Sequence, residues 1–136
     1  IQQLADNIHQ FRKISMAKIL VVDDDEDMRD LITFRLENAG HDITSAEDGV
    51  VGMKLARKIK PDLILMDLFM PRIDGFDVVR DLRQFGNKTP IIALTAEQSD
   101  RGKKKAIKAG CNEVMHKPIT TCFEQQIELF IEKYCE

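Results

Sequence analysis

No apolar run in this chain of 136 residues approaches the length needed to cross a bilayer. The arrangement of basic start, apolar stretch and small-residue cleavage site that marks a secretory signal is also missing. These absences set the expectation of a cytoplasmic protein with no membrane partner. Positive charge is not in excess. Lys and Arg number 20 against 23 Asp and Glu, a formal net charge of −3, which argues against direct nucleic-acid binding. Cysteine is sparse: Cys111, Cys122 and Cys135 are odd in number and lack metal-ligand spacing, so reduced thiols are expected. Cys111 reads as a small buried residue and Cys135 as an exposed one. Repeats, low-complexity segments and a linker toward a second domain are all lacking. What is present is enough chain for one domain with a core, at an ordinary 43% hydrophobic and 32% charged.

Residues 1–15 show little pattern beyond Leu4, Ile8 and Phe11 at helical spacing, and Met16-Ala17 looks like a natural start. The expected organisation is an N-terminal extension over 1–15 and a domain over 16–136. From Lys18 onward, short β-branched runs alternate with longer amphipathic stretches, the rhythm of repeated βαβ units. The pattern predicts strands at 18–22, 41–45, 62–66, 90–94 and 112–116, and helices at 26–38, 48–59, 75–84, 98–109 and 120–134. Met28, Leu31, Ile32 and Leu36 make one apolar face of the first helix, and Gly40 stands where a helix end favours a left-handed residue. Strands 62–66 and 90–94 are apolar on both faces, as central parallel strands are. His41-Asp42-Ile43-Thr44-Ser45 alternates and suits an edge.

Polar groups follow four of these runs directly. Asp23-Asp24-Asp25 come after Lys18–Val22, Asp67 after Leu63-Ile64-Leu65-Met66, Thr95 after Ile91–Leu94, and Lys117-Pro118 after Val114-Met115. In open α/β sheets ligands bind beyond the carboxyl ends of the strands, so these groups are expected to meet. Asp25 and Glu26 read as helix-capping acids. Asp67 is either a turn former or a carboxylate that needs a cation. The turn chemistry lies further on, at Pro71-Arg72-Ile73-Asp74-Gly75, which favours the second reading. A carboxylate cluster with one hydroxyl and one amine suits a magnesium ion and a phosphoryl group. Aspartate can also act as a nucleophile toward phosphorus. The run Arg101, Lys103, Lys104, Lys105 and Lys108 is either a solvated helix face or a contact surface for an acidic partner. His9, His41 and His116 are not expected to carry phosphoryl groups or bind metal.

Val21-Val22-Asp23-Asp24-Asp25, Leu65–Gly75 around Asp67, Leu94-Thr95-Ala96, Ala109-Gly110-Cys111 and Lys117-Pro118, in this order and spacing, resemble a response-regulator receiver domain of two-component signalling. The resemblance covers 18–134. It implies a flavodoxin-like, doubly wound α/β fold with a five-stranded parallel sheet, order 2-1-3-4-5, and five helices. It implies that Asp67 is phosphorylated and that Asp24 and Asp67 bind Mg2+ directly. Asp23 assists through water, and the backbone carbonyl of Phe69 is a further ligand. Thr95 and Lys117 hold the phosphoryl oxygens, and Lys117-Pro118 is a cis peptide. Val114 stands where the family usually has an aromatic residue, which implies a readout without a rotating ring. Gly52 replaces a frequent Ala and is expected to loosen the second helix, and Cys111 also replaces a frequent Ala.

The function expected is therefore that of a phosphoacceptor switch, not of an enzyme acting on a separate metabolite. A histidine kinase or phosphotransfer protein supplies the phosphoryl group, and a downstream effector domain or protein reads the result. Two other readings stand beside it: a magnesium-dependent phosphohydrolase with an Asp nucleophile, and a receiver-like interaction module that is never phosphorylated. The hydrolase typically needs a second acid two residues beyond the nucleophile, where this chain has Phe69. The complete acidic set argues against the third.

Overall fold

The structure is a computed structural model that describes residues 16–70, 73–96, 99–117 and 119–135. The expected extension over 1–15, the Pro71-Arg72 part of the turn and the Lys117-Pro118 cis peptide lie outside the described residues. Among those described, five strands alternate with five helices. They are β1 (Lys18–Val22), α1 (Glu26–Asn38), β2 (Asp42–Ala46), α2 (Gly49–Ile59), β3 (Leu63–Asp67), α3 (Gly75–Gln84), β4 (Ile91–Thr95), α4 (Asp100–Ala109), β5 (Glu113–His116) and α5 (Phe123–Tyr134). All pairings are parallel, and the strand order is β2-β1-β3-β4-β5. This is the fold and order expected, with β2 on an edge.

The alternation of each strand feeds two separate cores. Leu20, Val22, Ile64, Met66 and Ala93 face α2, α3 and α4, where Ala56, Val79, Leu82 and Ala106 cover them. Ile19, Val21, Leu65, Ile92 and Leu94 face α1 and α5, and pack on Ile32, Leu36, Phe123, Ile127 and Ile131. A sheet covered on both faces explains why β3 and β4 are buried at every position. Leu31 departs from the expected apolar face of α1: it is exposed, and Ile32 and Leu36 alone are fully buried there. A 3.6-residue period leaves Leu31 at the margin of the stripe.

Helix starts follow the sequence closely. Asp25, Asp48, Asp74 and Ser99 each accept a hydrogen bond from a backbone N–H of the first turn of α1, α2, α3 and α4. Gly40 takes the left-handed conformation after α1, at φ 98°. Two helices start two or more residues later than expected. Instead of 98–109, α4 begins at Asp100, after the Ser99 cap, and α5 begins at Phe123, after a turn at Thr121-Cys122. Gly52 has a packing role that its helix propensity does not show. A Cβ there would sit 2.9 Å from Cγ2 of Val22, so glycine lets α2 lie directly on β1.

Cys111 is buried, as expected, and its thiol is pushed up to about 11 by burial, opposed by the Arg83 charge. Cys135 is half-buried rather than exposed, with its sulfur 3.2 Å from the Asp62 carbonyl oxygen. No described helix is long and apolar enough to cross a membrane.

Candidate functional site

Two of the polar residues placed after strands in fact belong to them. Asp67 is the last residue of β3 and Thr95 the last of β4, because parallel pairing continues through them: Asp67 is opposite Leu94, and Thr95 opposite His116. Lys117 follows β5, and its N–H donates to the Thr95 carbonyl at 2.8 Å. Asp23 follows β1, and its N–H donates to Ala46 at the end of β2 at 3.2 Å. The sheet thus brings Asp23, Asp24, Asp67, Thr95 and Lys117 to one edge, at the carboxyl ends of β1, β3, β4 and β5. His116 is exposed, while Lys117 is half-buried.

Burial sorts the three acids. Asp23 is 0% exposed and Asp67 4%, whereas Asp24 is open to solvent. Asp23 accepts the Asp25 N–H at 2.9 Å and the Lys117 ammonium at 2.9 Å. Asp67 accepts the Phe69 N–H at 3.1 Å and lies 3.6 Å from Lys117 Nζ. One ammonium therefore faces two buried carboxylates. Burial, and next the charge of Asp23, push the Asp67 carboxyl up to about 7, against the pull of Lys117. Burial alone would depress Lys117, but the hydrogen bond to Asp23 and the charges of Asp67 and Asp23 outweigh it and raise the ammonium above its ordinary value.

The acids fit a small hard cation. One carboxylate oxygen from each of Asp23, Asp24 and Asp67 falls within 4.8 Å of the others. Adjacent oxygens around octahedral magnesium lie about 3 Å apart and opposed ones about 4 Å, so the carboxylates would draw inward around the ion. The unbalanced negative charge of the buried pair supplies the electrostatic reason for a cation to bind.

Sequence reasoning passed over two residues that position this edge. The guanidinium of Arg29 donates to the Asp23 carbonyl at 2.8 Å and ties α1 to the acidic loop. Gly75 was read as part of a turn, but it is a point of contact: a Cβ there would lie 2.4 Å from the Asp67 carbonyl oxygen and 2.6 Å from Leu68 Cα. Its N–H donates to Leu68 at 3.1 Å. The Pro71–Gly75 stretch hinted at a glycine there, but not at what it approaches.

The sheet order, the acidic edge and the lysine opposite it are the arrangement of a receiver, and the comparisons agree. The family model of the response regulator receiver domain matches residues 19–126. The chain belongs to the response-regulator receiver family. It is 40% identical over 103 residues to the alkaline phosphatase synthesis transcriptional regulatory protein PhoP of Bacillus subtilis, covering 76% of this chain and 43% of that protein. The chain thus spans less than half the length of that relative. A 14.6 kDa protein encoded in the sodA1 3′ region of Leptolyngbya boryana is 33% identical over 124 residues, covering 90% of this chain and 92% of that one. Among solved structures, the chemotaxis response regulator CheY4 of Vibrio cholerae superposes with a TM-score of 0.79 at 30% identity, covering 85% of this chain and 98% of the other. Receivers of this family are signalling switches, and their acidic pocket generally binds magnesium.

Proposed function

We propose that Asp67 is the phosphoacceptor of a two-component phosphorelay, working with Mg2+ held by Asp24, Asp67 and the Phe69 carbonyl, and with Asp23 assisting through water. The observation that carries this reading is the buried, charge-unbalanced pair of Asp23 and Asp67 around a single lysine. Asp67 supplies the nucleophilic oxygen. A bond forms from that oxygen to phosphorus as the bond from phosphorus to the donor's imidazole nitrogen breaks, and the imidazole leaves with the electron pair. Magnesium, when bound, neutralises charge on the phosphoryl oxygens. Lys117, already between the two acids, can pass from Asp67 to a phosphoryl oxygen with little movement, and the Thr95 hydroxyl lies on the neighbouring strand end. The donor is a histidine kinase or phosphotransfer protein, and the reader is an effector domain or separate protein. A relative named as a transcriptional regulatory protein supports such an output.

On this reading residues 16–136 are the receiver, residues 1–15 an extension, and the setting the cytoplasm. The chain modifies itself and turns over no separate metabolite. The hydrolase reading loses support from the side chain of Phe69, which packs against Phe76 where an acid is needed.

Incubation with magnesium and acetyl phosphate is expected to add a single phosphoryl group to the wild-type chain and none to Asp67→Asn, as read by intact mass. Transfer to Asp67→Asn at the wild-type rate overturns the assignment.

A further inference from the structure

Phe69 touches the site twice. Its N–H donates to the Asp67 carboxylate at 3.1 Å. Its ring, on a residue that is 55% exposed, meets Phe76 edge to face, with centroids 5.9 Å apart and planes at 82°. Phe76 is 2% exposed and fixed in the first turn of α3, where its N–H donates to the Asp74 cap at 2.8 Å. The ammonium of Lys105, from α4, sits over the Phe76 ring, 4.3 Å from its centroid. A continuous line of contacts therefore runs from the phosphoacceptor carboxylate through two rings to one cation of the basic helix.

The alternative route is thin. Val114, on β5, is only partly buried against the core that holds Phe76 and Ala106, and it presents no ring that could rotate. Lys105 also differs from its neighbours on α4, because it is the cation there that rests on an aromatic face. A solvated face would not require that placement, and a cation over a ring contributes real attraction.

We propose that Phe76 and Lys105 are positioning residues that couple α4 to the Asp67 loop through Phe69. The inference rests on the phosphoacceptor reading. A tetrahedral group on Asp67 changes what the Phe69 N–H can donate to, so the Phe69 backbone shifts. The ring edge then moves across Phe76, and the seat of Lys105 changes with it. Coupling is reciprocal in free energy. A partner that draws Lys105 away from Phe76 therefore alters how readily Asp67 holds a phosphoryl group.

The test uses beryllofluoride with saturating magnesium as the phosphoryl mimic, and reads amide chemical shifts. In the wild type, amides of Leu68 and Thr95 and of Ala106–Ala109 are expected to move. In Phe76→Leu and Lys105→Met, the Leu68 and Thr95 changes are expected to persist while those of α4 fall about two-fold or more. Lys105→Arg, which keeps a cation over the ring, is expected to restore them. Full-sized α4 changes in both Phe76→Leu and Lys105→Met overturn the coupling and leave the phosphoacceptor reading standing. A wild type whose Leu68 and Thr95 amides ignore the mimic overturns that reading, and the coupling with it.

Discussion

Arg83 and Lys117 are half-buried cations at opposite edges of the sheet, and their surroundings treat them in opposite ways. At the amino edge, Arg83 from α3 donates to the Gly110 carbonyl at 3.0 Å, Asn87 at 3.0 Å, Thr89 at 2.7 Å and the Asn112 side chain at 2.9 Å. That Asn112 oxygen also accepts the Ile91 N–H at 2.9 Å, so loops before β4 and β5 close on one guanidinium. All its partners are neutral dipoles in fixed positions. At the carboxyl edge, Lys117 faces two buried carboxylates and satisfies neither completely. The Arg83 arrangement has little to gain from a cation, because its guanidinium already makes four hydrogen bonds and its charge is itself positive. The Lys117 arrangement lacks a positive charge and gains from one. Satisfied hydrogen bonds mark the structural edge, and an excess of buried negative charge marks the edge that suits a cation.

Four changes test this contrast, in order of decreasing effect. Arg83→Met leaves several inward-facing acceptors without a donor and is expected to lower stability by about 2–4 kcal/mol. Urea unfolding would show this, with magnesium affinity of the folded protein unchanged. An effect below the scatter of surface substitutions would show that water replaces the guanidinium. Asp67→Asn removes one of the two buried charges and is expected to raise the stability of the metal-free protein by about 1–2 kcal/mol at neutral pH. Destabilisation instead would mean that the pair with Lys117 outweighs the repulsion from Asp23. Asp24→Ala, at an exposed position, is expected to change stability by less than about 0.5 kcal/mol. Magnesium titration of the same variant should nevertheless show affinity lowered about ten-fold or more. Unchanged affinity would move the metal elsewhere.

The smallest effect concerns pH. The Nδ1 of His41 accepts the Ala17 N–H at 3.1 Å, so the ring's hydrogen is on Nε2, 3.0 Å from Glu128. Burial holds the His41 pKa below its ordinary value despite that carboxylate, and burial raises Glu128. A buried neutral histidine binds fewer protons than the unfolded chain does. Its contribution is therefore full above about pH 6.5 and lost progressively as pH falls below it. Glu128 acts in the opposite sense nearer its own range. Unfolding midpoints at pH 7.5 and 5.5 should differ more for the wild type than for His41→Gln, and equal differences would remove His41 from the pH response.

The pattern of β-branched runs and caps made the strand and helix order legible in the residues, because local periodicity encodes which faces are buried. The acids, Thr95 and Lys117 were legible as strand-end groups for the same reason. That Asp67 and Thr95 lie inside their strands was not, since pairing with Leu94 and His116 extends the ladder by one residue. Contacts between distant segments left no local trace. Gly52 reads as a weak helix residue, with nothing local to show that Val22 lies against it, and no sequence signal marks Arg83 as the residue on which two separate loops close.

Gly75 carries a mechanical consequence for the Asp67 loop. The Asp67-Leu68 peptide is backed on one side by the first turn of α3, with no room for even a methyl group between them. On another side it is held by the Leu68 N–H to the Leu94 carbonyl at 3.3 Å. A backstop in that position removes a degree of freedom. Volume added at the end of the Asp67 side chain cannot be absorbed by recoil of its own backbone, so displacement is directed forward along the chain, toward Phe69. Any side chain at position 75 would disturb the backstop itself and blur that direction before any phosphoryl group arrived.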